Sequence, residues 1–453
     1  MNKRIHNSLF LSAIGDALGW ITEFERSKED LYKRYGVSEI IEFRDWQKPV
    51  GGRFNGYVDY IKAGSYSDDT QLILSVCRSL NLDGSMDHHY FAKTELPTWL
   101  HYARGAGRTI KNAARKIERK SADWNNNFFS YKAGKTTLQY ADSGANGAAM
   151  RILPIALANS ERENQLLNEI FYNSISTHGH PRAIVGAMLY GLAVSDLHKQ
   201  NHEDFDSLNF LTGFGKTISD RLSLSNIDQK PIRDWMLTWD KEAGRSFADE
   251  YAQTVMEVVV HLRQVFMGLR DQEDDTLVLR KLGCFAPETK GSGIATVVGG
   301  LFLALKYPKE PKQGILVAVN AIGTDTDSVA AFTGGLLGAL HDDEVIPEQW
   351  CGVQDADYLR NMADKIEKIQ SGKYVLIRSN EKVDLMRASL ELPIKNDEYA
   401  IGDEVYFDPL GLGIIQKVDR QTPLTQGKFN LILDVDFENG QSCKFAKLLN
   451  HPE

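Results

Sequence analysis

Cysteine is scarce in this chain. There are four in 453 residues, at positions 77, 284, 351 and 443, and no two form a Cys-x-x-Cys pair. That scatter argues against a disulfide framework or a zinc cage and for a reducing compartment, the cytoplasm. Basic excess is also missing. Asp and Glu number 61 against 52 Lys and Arg, a net charge of −9, so the global field repels nucleic acid and anionic membrane. No apolar run approaches the ~18 residues of a spanning helix. The start, "MNKRIHNSLFLSAIGDALGW", has the basic-then-apolar order of a secretory signal. Asp16 interrupts it, and no small-x-small cleavage site follows before Trp20 and Glu23, so it reads as a first core helix.

What is present, up to about residue 370, is helical periodicity. Apolar residues recur at three- and four-residue spacing in 4–20, 68–82, 88–118, 147–159, 165–176, 182–197, 248–270, 292–307, 311–321, 326–340 and 356–371. Glycines sit inside several of these helices (186, 191, 299, 300, 334, 335, 338), each costing roughly 1 kcal/mol against alanine. Their repetition predicts close helix contacts. Residues 35–66 read as irregular, 121–143 as weakly helical, and 198–247 as helical insertions. After about 373 short alternating strands take over. Asn439-Gly440, between "LDVDF" and "SCKFA", is a strong hairpin signal. The expected organisation is a multi-helix body over 1–372, a linker over 373–397 and a small β-domain over 398–453.

Four stretches of the body carry groups suited to chemistry: "GDALGWITEF", "YSDDTQLILSV", "SGANGAAMRILPIAL" and "GTDTDS". Ser, Thr and Asp are ordinary helix N-caps, and one cap needs one side chain. Asp325, Asp327 and Ser328 supply three oxygen-bearing side chains at a single helix start. Hard divalent cations prefer such oxygens, and a pair of them about 4 Å apart needs several carboxylates. A helix N-terminus alone repels a cation, so the carboxylates must reverse its field. Glu23, Ser67, Asp68, Asp69, Asp325, Asp327 and Ser328 together offer five carboxylates and two hydroxyls. The amides of Gly144, Ala145, Asn146, Gly147 and Ala148 could face a phosphate at a helix start, although an ordinary glycine turn has the same composition. His178 and His180, in "STHGHPRA", precede a helix and could meet a nucleotide. They lack the spacing of a zinc site.

In their order, "GDALGWITEF", "YSDDTQL", "GANGAAMRILPIA", "THGHPRA" and "GTDTDSVAAFTGGLLGAL…IPEQW" resemble the ADP-ribosylglycohydrolase family over roughly residues 1–370. The resemblance implies an all-α bundle with two divalent cations, Mg²⁺ or Mn²⁺, and release of ADP-ribose from a modified side chain, nucleobase or small molecule. It implies Glu23, Ser67, Asp68, Asp69, Asp325, Asp327 and Ser328 as metal ligands, with Glu23, Asp68 and Asp69 as candidates for the catalytic carboxylate. Gly144–Ala148 would hold the diphosphate, and His178 would sit beside the ADP-ribose. Serine at 328 stands where the family often has threonine, and it keeps the hydroxyl. The C-terminal segment is similar to SH3-like or Tudor-like barrels, which suggests a protein-docking or buttressing role. Its acidic balance disfavours direct nucleic-acid binding. The competing readings are a catalytically silent ADP-ribose-binding relative and a two-metal nucleotide pyrophosphohydrolase.

Overall fold

The computed structural model of the chain describes residues 3–372 and 398–451. Its longer helices are α1 (Lys3–Thr22), α2 (Asp68–Ser79), α3 (Arg108–Lys116), α4 (Glu163–Ile175), α5 (Pro181–His198), α6 (Ser207–Arg221), α7 (Arg233–Ala243), α8 (Phe247–Arg270), α9 (Gly293–Lys306), α10 (Pro311–Val319), α11 (Thr326–Leu340) and α12 (Ala356–Ser371). Its strands form a hairpin of β1 (Trp46–Val50) and β2 (Tyr57–Ile61), a hairpin of β3 (Ser130–Ala133) and β4 (Thr136–Gln139), and a four-stranded sheet. The sheet is an antiparallel meander of β5 (Glu404–Phe407), β6 (Gly411–Gln421), β7 (Lys428–Phe437) and β8 (Ser442–Asn450).

The body is therefore mostly helical, and the all-α expectation holds only loosely. Residues 35–66 carry an ordered hairpin whose Trp46 and Ile61 are buried, so tertiary packing supplies the order that its local pattern lacks. Residues 121–143 contain β3 and β4 in place of weak helix. The expected helix over 88–118 is broken. Short turns end near Leu100, the chain crosses Gly105 at φ +82°, and α3 starts afresh at Arg108. A left-handed φ suits glycine and stops a helix. The expected insertions over 198–247 are α6 and α7. The linker expected at 373–397 lies outside the described residues.

α11 forms the centre, with every residue buried. It runs antiparallel to α1 with almost no side chain between them. A Cβ on Gly334 would lie 2.1 Å from the Leu11 carbonyl oxygen, and one on Gly338 2.3 Å from the Ser8 nitrogen. A Cβ on Gly15 would lie 2.3 Å from the Ala330 carbonyl oxygen, and one on Gly19 2.4 Å from that of Thr326. Glycine at four-residue intervals thus lets two backbones touch, and the end of α1 arrives beside the start of α11.

The C-terminal sheet leaves β5 and β8 unpaired with each other among the described residues, so it is a curled open sheet and not a closed barrel. The Asn439-Gly440 hairpin forms as the sequence predicts, with Gly440 at φ +96°. The sheet shares the body's hydrophobic core through Phe407, Ile415, Leu431 and Phe445. It also grips the β1–β2 hairpin. The Gln421 side chain pairs with both backbone groups of Val58 (2.8 and 2.9 Å), and Lys444 Nζ bonds Asp59 (2.6 Å) and the Tyr60 carbonyl (2.7 Å).

Candidate metal centre and pocket

The centre begins with how α2 starts. Its first amides need acceptors. Asp16, from the middle of α1, accepts from Ser67 N (3.0 Å), Thr70 N (2.9 Å) and Thr70 Oγ1 (2.6 Å), while Ser67 Oγ accepts from Asp69 N (3.3 Å). The capping work is done by Asp16 and Ser67, so the carboxylates of Asp68 and Asp69 stay available. At α11, Asp325 occupies the N-cap position without making a side-chain cap bond. Asp325 Oδ2 instead accepts from the Asn146 side chain (2.9 Å). Asp327 Oδ1 accepts from Ser328 N (2.8 Å), and Ser328 Oγ donates to Asp69 (3.0 Å), joining the two acidic turns.

Glu23, just past the end of α1, completes the group. One oxygen each from Glu23, Asp325 and Asp327 lie within 4.8 Å of one another. Glu23 Oε2 is buried and has no hydrogen-bond partner. Burial comes first and neighbouring carboxylates next in pushing Glu23, Asp69 and Asp327 well above the usual carboxylate range. Burial and Asp16 push Asp68 up to about 7. Burial also raises Asp16 and Asp325. Such groups resist ionising together unless a cation joins them. The oxygen-only donor set and the orphaned Glu23 oxygen fit a hard dication.

These residues line a cavity of about 250 Å³ that includes Glu23, Asp68, Asp69, Asp325, Asp327 and Ser328. Ala145, Asn146, Gly147 and His178 line it too, so acidic turns and glycine turn converge from distant parts of the chain. The remaining predicted residues, Ser67, Gly144 and Ala148, are not among its lining residues. Two amides of the glycine turn are already engaged, Gly144 N with Asp142 O (3.1 Å) and Asn146 N with Gly291 O (3.0 Å).

His178 is buried, with Nδ1 2.7 Å from Thr177 Oγ1. Burial and nearby Arg151 lower its pKa to about 3, so the ring is neutral. Gly147 lies flat against it, since a Cβ there would fall 2.8 Å from Cε1. His180 instead caps α5, accepting from Arg182 N (3.0 Å). Arg151, fully buried, donates to the Gly147 carbonyl, Asn173 and Thr177, bracing the turn from behind. Sequence reading did not assign Asp16, the Asn146 side chain or Arg151. Asp16 is conspicuous in an apolar helix, but its partner is 51 residues away. The other side of the cavity is α3's start, with Gly105, Gly107, Arg108, Thr109 and Ile110. Lys48, on β1, lies 3.4 Å above the Phe24 ring. Burial lowers its pKa, opposed by the charges of Glu23, Asp327 and Asp68.

Fold and site define a mostly helical protein with an acidic oxygen centre where two helix ends meet, beside a histidine-backed glycine turn. The ADP-ribosylglycohydrolase family profile matches residues 1–375, and the chain belongs to that family. It is 28% identical over 187 residues to the ADP-ribosyl-(dinitrogen reductase) glycohydrolase of Rhodospirillum rubrum, covering 41% of this chain and 54%, about half, of that protein. It is 26% identical over 306 residues to ADP-ribosylhydrolase ARH3 of Danio rerio, covering 65% of this chain and 75% of that one. A solved structure described as an ADP-ribosylglycohydrolase-related protein complex aligns over 82% of this chain and 98% of its own, at 21% identity and a TM-score of 0.48.

Proposed function

We propose that the protein hydrolyses the bond between ADP-ribose and an acceptor, releasing intact ADP-ribose, with Mg²⁺ or Mn²⁺ as its cations. The convergence of Glu23, Asp68, Asp69, Asp325, Asp327 and Ser328 with Gly147 and His178 in one cavity carries this reading. The family relationship supports it. Glu23, Asp68, Asp69, Asp325, Asp327 and Ser328 would hold the cations. Ser67, whose hydroxyl also caps α2, would be a further ligand. When bound, dications supply positive charge beside the scissile bond and lower the pKa of a water.

The chain's own groups do the rest. Asn146 fixes one Asp325 oxygen, and Asp69 and Ser328 fix each other, so the donors need little rearrangement. Glu23, Asp68 and Asp69 are the carboxylates available to take a proton or to stabilise oxocarbenium charge on the sugar. His178, neutral and held by Thr177, offers Nε2 to a sugar hydroxyl or phosphate, and Gly147 presents backbone next to it. The β1–β2 hairpin brings Lys48 to the acidic side, and the C-terminal sheet holds that hairpin in place. On this proposal the sheet buttresses the site.

The test is a panel of ADP-ribosylated acceptors (arginine, serine, nucleobases, acetyl ester), with products separated after incubation with Mg²⁺, Mn²⁺ or chelator. Intact ADP-ribose, formed only with cation, is the expected product. AMP would mean pyrophosphate cleavage, and full turnover in chelator would remove the cations from the mechanism.

A further inference from the structure

At the far end of α11 we propose a metal site of different chemistry, in which His202, His341 and Asp343 seat a transition-metal dication such as Zn²⁺. His202 lies in the connection after α5, and His341 directly follows α11. The 15 residues of α11 rise about 22 Å, which separates this site from the carboxylate centre.

One donor atom from each of the three residues lies within 4.8 Å of the other two. His341 Nδ1 is 3.3 Å from Asp343 Oδ1, and His202 Nε2 is 3.8 Å from Asp343 Oδ2. Tetrahedral zinc, with bonds of about 2.0–2.1 Å, sets its ligands roughly 3.3–3.4 Å apart. The His341–Asp343 distance already has that length, the His202–Asp343 distance, to the other carboxylate oxygen, is about half an ångström longer, and the two imidazole nitrogens lie within 4.8 Å of each other.

The outer nitrogens distinguish this group from a plain ion-pair cluster. His341 Nε2 lies 2.7 Å from the Pro308 carbonyl oxygen, which only accepts. The proton therefore sits on Nε2, and in the neutral ring Nδ1 turns a lone pair toward Asp343. His202 Nδ1 lies 2.8 Å from Asp342 Oδ1, without hydrogen-bond alignment, and that carboxylate still favours the proton on Nδ1. Nε2 is then left with a lone pair facing Asp343. His341 Nδ1 and His202 Nε2 thus both face Asp343, and a dication seated between them takes all three side chains as donors. Imidazoles whose other nitrogen faces a carbonyl or carboxylate are the usual arrangement around a bound transition metal. Asn7 fixes the same turn by donating to the carbonyls of His341 (3.0 Å) and Asp343 (2.8 Å). Two imidazoles and one carboxylate suit zinc, nickel or cobalt and disfavour magnesium. A water completes four-coordination, and the bound ion clips the connection after α5 to the end of α11.

The experiment is calorimetric titration of Zn²⁺ into the full chain in excess Mg²⁺, with Co²⁺ absorption as a spectroscopic reporter. Asp343→Asn and His202→Ala are compared with the parent chain, and their melting without metal checks folding. The near-isosteric Asp343→Asn keeps the test valid if His202→Ala folds poorly. We expect one equivalent of Zn²⁺ to be lost, or weakened at least tenfold, in each variant, together with the visible Co²⁺ band. Equal stoichiometry and affinity in all three proteins, or no Zn²⁺ uptake by the parent chain, overturns the proposal.

Discussion

The two ends of α11 handle charge in opposite ways. At its start, Glu23, Asp68, Asp69, Asp325 and Asp327 crowd together, each raised by burial and all but Asp325 also by neighbouring carboxylates. At its other end opposite charges meet, with Arg4 3.2 Å from Asp342 and Lys3 3.9 Å from Glu344. The first end destabilises the cation-free fold by repulsion, whereas the second pairs its charges around the proposed site of His202, His341 and Asp343. Repulsion held in place by packing is what a functional site keeps.

The largest expected break in this comparison comes from Asp327→Asn. It removes a proposed ligand, so hydrolysis should fall about 100–1,000-fold. The same change relieves repulsion, so the cation-free variant should melt at or above the parent. Product assays and melting curves check both, and a variant that keeps full turnover counts against the centre.

Next comes Gly334→Ala. Its Cβ would meet backbone 2.1 Å away, so α1 and α11 must separate. We expect a loss of about 1–3 kcal/mol in denaturant unfolding. Turnover should fall as well, because Glu23 is carried away from Asp325 and Asp327.

The pH dependence sharpens the contrast. A carboxylate whose folded pKa is raised binds more protons folded than unfolded. Its stabilising contribution is complete below about pH 4 and is lost as pH rises through the folded value. For Asp68 that value is about 7. The chelated chain should therefore melt higher at pH 5 than at pH 8, Mg²⁺ should narrow the gap, and Asp68→Asn should flatten the dependence. Melting curves at both pH values, with and without Mg²⁺, decide it.

The smallest effect is expected from Lys3→Ala at the opposite end. Lys3 and its ion-pair partner Glu344 are both exposed, so the pair contributes about 0–1 kcal/mol, and turnover should not change.

Much of this was legible in the chain. The periodic apolar pattern located α1, α5, α8, α9, α11 and α12 to within a few residues, because burial of one face leaves a repeating record. Asp325, Asp327 and Ser328 stood out because one helix start does not need three capping side chains. Asn439-Gly440 announced its turn because few other pairs accept that backbone. The β1–β2 and β3–β4 hairpins escaped notice because their order comes from surfaces far away in sequence. Periodicity also ran through Gly105, where the backbone turns left-handed and the helix stops. Asp16 looked like an oddity within α1 because its partners, Ser67 and Thr70, belong to another helix.

The sequence by itself determined which residue types are available, on which helices, and where the acidic turns and glycines fall, since these follow from local periodicity and composition. Only the tertiary structure decided that Glu23 meets Asp325 and Asp327, that Asp16 relieves Asp68 and Asp69 of capping, and that Gly147 and His178 face them. The physical reason is the close antiparallel approach of α1 and α11. It depends on the glycines of each helix meeting the backbone of the other, more than 300 residues away, a contact that neither segment records alone.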